Sequence, residues 1–208
     1  MLPADMLDRL IAKDLQAHFP CGTIGQRIIV LEQTGSTNDA ILQVATANSN
    51  EGLVLFAEHQ TSGRGQRGNR WESAVGKGLW FSILLRPKIQ INDSGRLTIW
   101  AIEAISDVIR TELSLEPAIK LPNDVQLYGR KVAGVLVEMR AQEKAPHLAV
   151  VGVGINVNQS LEDFPPELRN RAISLAIALQ RPVDRQKFAV VLLRNLDRTY
   201  RARFAPKS

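Results

Sequence analysis

At 208 residues, with 45% hydrophobic and 23% charged positions and a formal net charge of +5, the chain is long enough for one domain with a real core, at roughly 100–200 residues per domain. The basic excess mildly favours anionic partners, but acidic residues run along the whole chain, so a solvated surface is a simpler reading than a polynucleotide track. Cys21 is the single cysteine, which excludes an internal disulfide and the usual thiolate cluster of a zinc site and fits a reducing cytoplasm.

The opening stretch MLPADMLDRLIAKDLQ, Met1 to Gln16, interrupts its apolar residues with Asp5, Asp8, Arg9, Lys13 and Asp14. It predicts an amphipathic helix and has no signal-peptide core. No apolar run approaches the roughly 18 residues of a membrane span. GQRIIVLEQ then predicts a strand, and TGSTNDAILQVATA a helix beginning near Ser36 to Asn38, a capping run. GLVLFAEHQ and GLWFSILLRP predict neighbouring strands joined by the loop TSGRGQRGNRW. NDSGRLTIWAIEAISDVIRTEL spaces its apolar residues as one helix face. EPAIKLPNDVQLYGRKVAGVLVEMR reads as strand, turn, strand, with Tyr128-Gly129 at the hairpin turn. HLAVVGVGINVN is a further strand, FPPEL a proline break, and RNRAISLAIAL and DRQKFAVVLLRNLDRTYRARF two closing helices. Strands clustered among helices that do not alternate regularly predict an α+β fold in a single domain.

Four polar clusters interrupt this apolar pattern: Ser36-Thr37-Asn38, the Gln60 to Trp71 loop, Lys120 to Asp124 with Lys131, and Gly152 to Asn158. Ser-Thr-Asn before a helix reads as an N-cap or as donors and acceptors for a polar ligand head. The loop combines Gly63, Gly65 and Gly68 with Arg64, Arg67 and Arg70, and arginine forks suit phosphate or carboxylate. From the loop alone, nucleic acid, nucleotide and a solvated mobile loop all stay open. Asn123-Asp124 reads as a turn or as a pair that orients a magnesium ion and its waters. Lys131 begins an apolar strand, and strict alternation places it on the face of Ala133, Val135 and Val137, beside an apolar pocket or at a solvated edge.

Together, GSTND, AEHQTSGRGQRGNRW, KLPNDV followed by GRKVAGVLVE, and GVGINVN resemble the catalytic domain of the biotin protein ligases, in that family's order and spacing. The resemblance spans most of the chain. It implies a mixed, mainly antiparallel sheet packed with helices, and an enzyme using ATP, Mg²⁺ and biotin. Biotin's carboxylate would attack the α-phosphate of ATP, and a lysine of the biotin carboxyl carrier domain of acetyl-CoA carboxylase would then attack the mixed anhydride. Carried over by motif, Ser36, Thr37, Asn38, Gln60, Arg64, Gly65, Gln66, Lys131 and Gly134 would hold biotin. Arg64, Arg67, Trp71, Lys120, Asn123, Lys131 and Asn156 would serve the nucleotide, with Lys131 and Arg64 catalytic and Asp124 and Asn123 at the metal.

The pattern departs from its relatives at three letters. Where many bacterial members read G-R-G-R-x-G-R-x-W, this chain has Gln66 and Asn69 at the second and third arginine positions, and KLPND replaces K-W-P-N-D through Leu121. Two missing positive charges imply readier release of the acyl-adenylate. The ends depart too: no room is expected before the first motif for the DNA-binding winged helix of repressor-type relatives, hence no DNA partner, and the small C-terminal β-barrel into which family members commonly continue is not expected here. A partner or a second protomer, as in a homodimer, would then complete the site, or a minimal enzyme would work with a more open one. Two alternatives stay open. One is a lipoate or octanoate ligase or acyltransferase of the same superfamily. The other is a non-catalytic nucleic-acid-binding module, which the 5% aromatic content disfavours.

Overall fold

A computed structural model describes residues 8–45, 51–142 and 146–204. Seven strands, β1 (Ile28–Thr34), β2 (Val54–Gln60), β3 (Gly78–Leu85), β4 (Ala118–Lys120), β5 (Asp124–Leu127), β6 (Arg130–Arg140) and β7 (Leu148–Asn156), form one sheet in the order β1-β2-β3-β7-β6-β5-β4. Only β1 and β2 run parallel; every other neighbouring pair is antiparallel. The helices are α1 (Ala12–Gln16), α2 (Thr37–Val44), α3 (Gly95–Leu113), α4 (Leu175–Leu179) and α5 (Arg185–Phe204). The expected α+β class with a mixed, mainly antiparallel sheet is what forms.

Period-two alternation divides the sheet between two layers. Val54 and Phe56, Leu79, Phe81, Ile83 and Leu85, and Ala149, Val151, Val153 and Ile155 face the main core, against α3 and α5. Leu55, Leu84, Leu148 and Val150 point the other way and pack with Ala40 and Ile41 of α2. Along that second face, β7 passes from Leu148 and Val150 to Gly152 and Gly154, while β3 passes from Leu84 to the buried Ser82. The apolar layer therefore stops halfway, and the remainder of this face is free to line a cavity.

A buried charge cluster ties the ends of the chain to the sheet. Arg185, fully buried at the start of α5, donates to Glu58 Oε2 of β2 at 2.8 Å and to the carbonyl of Gly78 at 3.0 Å, with Asp8 Oδ2 3.2 Å from its Nε. Glu58 Oε1 in turn accepts from the backbone of Leu10 at 2.9 Å.

Two expected elements change. Residues 1–7 of the first predicted helix lie outside the described residues, and within them that helix is only Ala12–Gln16. The helix expected over RNRAISLAIAL shrinks to Leu175–Leu179, capped by Ser174 Oγ, which accepts from the backbone of Ile177 at 3.1 Å. Residues 171–173 are instead extended against β6: Lys131 N donates to Arg171 O at 2.8 Å and Ile173 N to Lys131 O at 3.0 Å. Unpaired backbone at Lys131 outweighs local helical spacing there. The expected hairpin at Tyr128-Gly129 forms, with φ of 52° and 74°. Among the described residues, no helix is long and apolar enough to cross a membrane.

Candidate active site

The polar run before α2 does not spend its side chains on capping. Ser36 is the N-cap residue but makes no side-chain cap bond. Thr37 turns inward, its backbone N–H donating to Gln60 Oε1 at 2.8 Å and its hydroxyl lying 3.1 Å from the same oxygen. Asn38 Nδ2 donates to Glu138 Oε2 of β6 at 2.6 Å, and Ser82 Oγ lies 2.6 Å from Asn38 Oδ1 and 2.8 Å from Thr37 Oγ1. Thr37, Asn38, Gln60 and Ser82 are all buried. Side chains from α2, β2, β3 and β6 thus make one hydrogen-bonded wall in the unfilled half of the sheet face.

Glycines make the floor beside that wall. Gly134 of β6 pairs with Gly154 of β7, which pairs with Trp80 of β3. A Cβ on Gly152 would lie 2.3 Å from Asn38 Oδ1, and one on Gly154 would lie 2.5 Å from the Trp71 indole. The indole rests over this floor, edge-on to Trp80 with ring centroids 5.9 Å apart. Ser36, Thr37, Asn38, Gln60, Arg64, Gly65, Asn123 and Gly134 line the cavity between wall and floor. With Trp71 in place it holds about 30 Å³, room for one or two waters.

The arginine loop folds back on itself as a small hairpin. Gly65 N donates to Asn69 O at 2.7 Å and Trp71 N to Gly63 O at 2.9 Å. Arg67 sits at its tip with φ of 58°. Asn69 Nδ2 donates to Gln66 O at 2.9 Å, so this amide closes the turn. Arg64 reaches the cavity and is held between two carboxylates, Asp39 of α2 and Glu138, whose Oε2 is 2.9 Å from its NH2. Hydrogen bonding from Asp39, and then from Glu138, raises the guanidinium above its ordinary value against the opposing effect of burial. Arg67 and Gln66 are not among the residues lining this cavity or the next one.

Lys131 lies on the face opposite to the one that strict alternation predicts. Gln126 pairs with Lys131 but Val125 pairs with Ala133, so Val132 is the extra residue of a β-bulge. Val132, Ala133 and Val135 all enter the main core. Lys131 is rephased onto the Gly134 side, where a Cβ on Gly134 would lie 2.9 Å from its Nζ. Its ammonium is 2.6 Å from Asp124 Oδ1 and 5.0 Å from the Trp71 ring centroid.

A second, larger cavity of about 350 Å³ opens on the far side of Trp71. Lys120, Asp124, Lys131 and Asn156 line it, together with Arg70, Glu72, Gln126, Phe164 and Arg171, none of which the motifs picked out as site residues. Asn156 also braces the backbone: its Nδ2 donates to Ile173 O at 3.2 Å and its Oδ1 accepts from Gln159 at 3.0 Å. Asn123 uses its Nδ2 on Val135 O at 3.0 Å. Trp71 borders both cavities, and Lys131 lines the second with its ammonium beside that indole.

Over much of its length the chain is similar to known proteins. Residues 30–156 match the model of the biotin/lipoate A/B protein ligase family. The chain belongs to that family. Among similar members, the bifunctional ligase/repressor BirA of Bacillus spizizenii is 36% identical over 178 residues, covering 86% of this chain and 55% of that protein. The biotin--[acetyl-CoA-carboxylase] ligase of Mycobacterium tuberculosis is 34% identical over 181 residues, covering 85% and 65%. This chain therefore spans between about half and two thirds of the length of these curated relatives. The solved biotin protein ligase of Aquifex aeolicus in complex with biotin and ATP superposes with a TM-score of 0.72 at 30% identity, covering 86% of this chain and 74% of that one. The first three polar clusters fall within the span that matches the biotin/lipoate ligase model, and the fourth, Gly152 to Asn158, begins inside it and runs past its end at residue 156.

Proposed function

We propose that this family member is an ATP-dependent biotin protein ligase. The observation that carries the reading is the arrangement of two cavities that share Trp71, one small and polar, the other rimmed by Arg70, Lys120, Lys131 and Arg171, with the Lys131 ammonium 5.0 Å from the Trp71 ring centroid. Biotin would place its polar ring against the Thr37–Asn38–Gln60 wall and send its valeryl chain over the glycine floor toward Lys131. ATP would occupy the second cavity with its α-phosphate at the same lysine. The names of the relatives, a biotin--[acetyl-CoA-carboxylase] ligase and a ligase bound to biotin and ATP, support this assignment.

In the first step a carboxylate oxygen of biotin forms a bond to the α-phosphorus, and the bond from that phosphorus to the bridging oxygen breaks to release pyrophosphate. The carboxylate is already ionised at neutral pH, so the protein supplies placement and charge and no nucleophile. In the second step the neutral amine of a carrier-domain lysine attacks the acyl carbon, and AMP leaves. Trp71 must lift from the glycine floor to admit biotin and can then lie over the anhydride, shielding it from water.

Mg²⁺ neutralises phosphate charge when bound. It typically takes one or two protein carboxylates with the rest of its shell from water and phosphate, and Asp124, beside Asn123, is such a donor at the second cavity. Among the described residues no group of three His, Cys, Asp or Glu side chains could hold a metal alone. The exposed Cys21 is in keeping with a reducing cytoplasm. The acceptor is proposed to be a carboxylase carrier domain, and the same family also covers lipoate ligases. Offering biotin, lipoate and octanoate with ATP and identifying the acyl-AMP by mass spectrometry separates these readings: biotinyl-AMP as the main product supports the proposal, and lipoyl- or octanoyl-AMP replaces it.

Two variants test the cavity and the loop. Gly152→Ala puts a Cβ onto Asn38 Oδ1; overpacking of this kind costs about 1–3 kcal/mol. Biotin binding should weaken about 10- to 100-fold, as read by calorimetry, while ATP binding holds. Gln66→Arg restores one charge that many relatives carry. The half-life of bound biotinyl-AMP should lengthen about fivefold, the size of a partly exposed charge contact near 1 kcal/mol; equal release rates in parent and variant would show that the missing charge does not govern retention.

A further inference from the structure

We propose that Glu138 is the positioning residue that sets the polar end of the acyl cavity, recognising a ring with amide- or urea-type hydrogen-bonding groups; the proposal rests on the biotin reading above. Glu138 follows Gly134 and Leu136 at period two on β6, and both of those residues line the cavity. Its carboxylate reaches two elements that no other side chain of the sheet joins among the described hydrogen bonds: α2, through Asn38 Nδ2 at 2.6 Å, and the arginine loop, through Arg64 NH2 at 2.9 and 3.2 Å.

Two consequences follow from its chemistry. An ionised carboxylate only accepts hydrogen bonds, so it fixes the otherwise ambiguous amide of Asn38 with Nδ2 toward β6 and Oδ1 toward Ser82 Oγ, 2.6 Å away. That polarity passes along the buried wall: with its single proton given to Asn38, Ser82 Oγ accepts from the Thr37 hydroxyl 2.8 Å away, and Gln60 Oε1 keeps the Thr37 backbone N–H. Glu138 also seats Arg64 against α2, together with Asp39, which closes the end of the cavity with a bound guanidinium. An acyl chain with an apolar end would displace water from this wall without hydrogen-bonding to it, whereas a ring with its own N–H and C=O groups would pair with the donor and acceptor capacity that the wall still offers.

Glu138→Gln keeps the side-chain shape and removes the charge. Its test is calorimetric affinity for biotin, octanoate and ATP, each measured on the full chain, with melting temperature taken on the same samples. Biotin affinity is expected to fall about tenfold, the scale of a hydrogen bond to a charged group, with octanoate and ATP affinities within about twofold of the parent and little change in melting temperature. Unchanged biotin affinity in a folded variant overturns the role of Glu138, as does a parallel loss of all three affinities with melting, which marks a merely structural residue. A parent chain that binds no biotin removes this inference and the functional reading together. A parent that binds biotin but makes no adenylate removes only the functional reading and leaves the Glu138 comparison decisive.

Discussion

Lys131→Ala should lower the rate of biotinyl-adenylate formation by about 10²- to 10³-fold, the range for removing one preorganised donor from a site of developing negative charge. The argument is positional. The bulge at Val132 turns Lys131 away from the core and onto the Gly134 side, its backbone is clamped on both sides of the peptide by Arg171 and Ile173, and its ammonium lines the second cavity beside Trp71, which both cavities share. In the absence of substrate the ammonium is paired with Asp124 at 2.6 Å, so the charge is held ready where the carboxylate and α-phosphate would meet. Removing it leaves Asp124 without its cation and adds repulsion toward phosphate. Single-turnover formation of biotinyl-AMP at saturating biotin and ATP reads the chemical step directly. A variant that melts like the parent and forms adenylate at the parent rate would remove Lys131 from the chemistry. Loss of melting cooperativity would instead assign the effect to folding.

The second large effect is on stability. Arg185→Ala should destabilise the fold by about 3–5 kcal/mol, because breaking a buried ion pair strands the remaining charge. Glu58 is 5% exposed and Arg185 is 0% exposed, so solvent cannot take over the lost partner. The same substitution frees the carbonyl of Gly78 at the start of β3 and releases Asp8 from α5. For a chain of this size the melting temperature should drop by about 6–20 °C. Thermal unfolding followed by circular dichroism reads it, and an unchanged midpoint would mean that the cluster is solvated or dispensable.

Much of the frame was legible because the physics that builds it is local. The apolar spacing of α3 and the apolar runs of β2, β3 and β7 announce themselves, and the Tyr128-Gly129 turn lies where two positive φ values are needed. Motif order also placed Ser36 to Asn38, Gln60 and Arg64 around one cavity and Lys120, Asp124 and Asn156 around another. What stayed hidden depends on distant pairing. The bulge at Val132 is invisible in VAGV, since every residue there is small or apolar and either phase of alternation would bury them. Arg171 carries a helical neighbourhood yet is drawn into extended backbone by Lys131. Glu138 reads as a charge near a strand end; its partners Asn38 and Arg64 are 100 and 74 residues away in the chain. Ser82 did leave a signal, as the one hydroxyl in an otherwise apolar strand, and it lies at the centre of the wall.

The loop that joins β2 to β3 shows how sequence and geometry divide the argument. Its arginines and glycines suit an anionic ligand, but only the fold separates their tasks: Arg64 turns toward α2 and β6, Arg70 toward the second cavity, and Arg67 to the tip. Asn69 spends its side-chain amide on closing the turn.

Biotin-dependent exchange of labelled pyrophosphate into ATP tests the central claim most directly, because it reports the acid, the nucleotide and the reversible adenylation step in one reaction. Exchange that requires biotin and ATP together, and that lipoate or octanoate supports far more weakly, is the predicted result. Exchange that ignores biotin, or that is absent from a folded chain that binds both substrates, would contradict it.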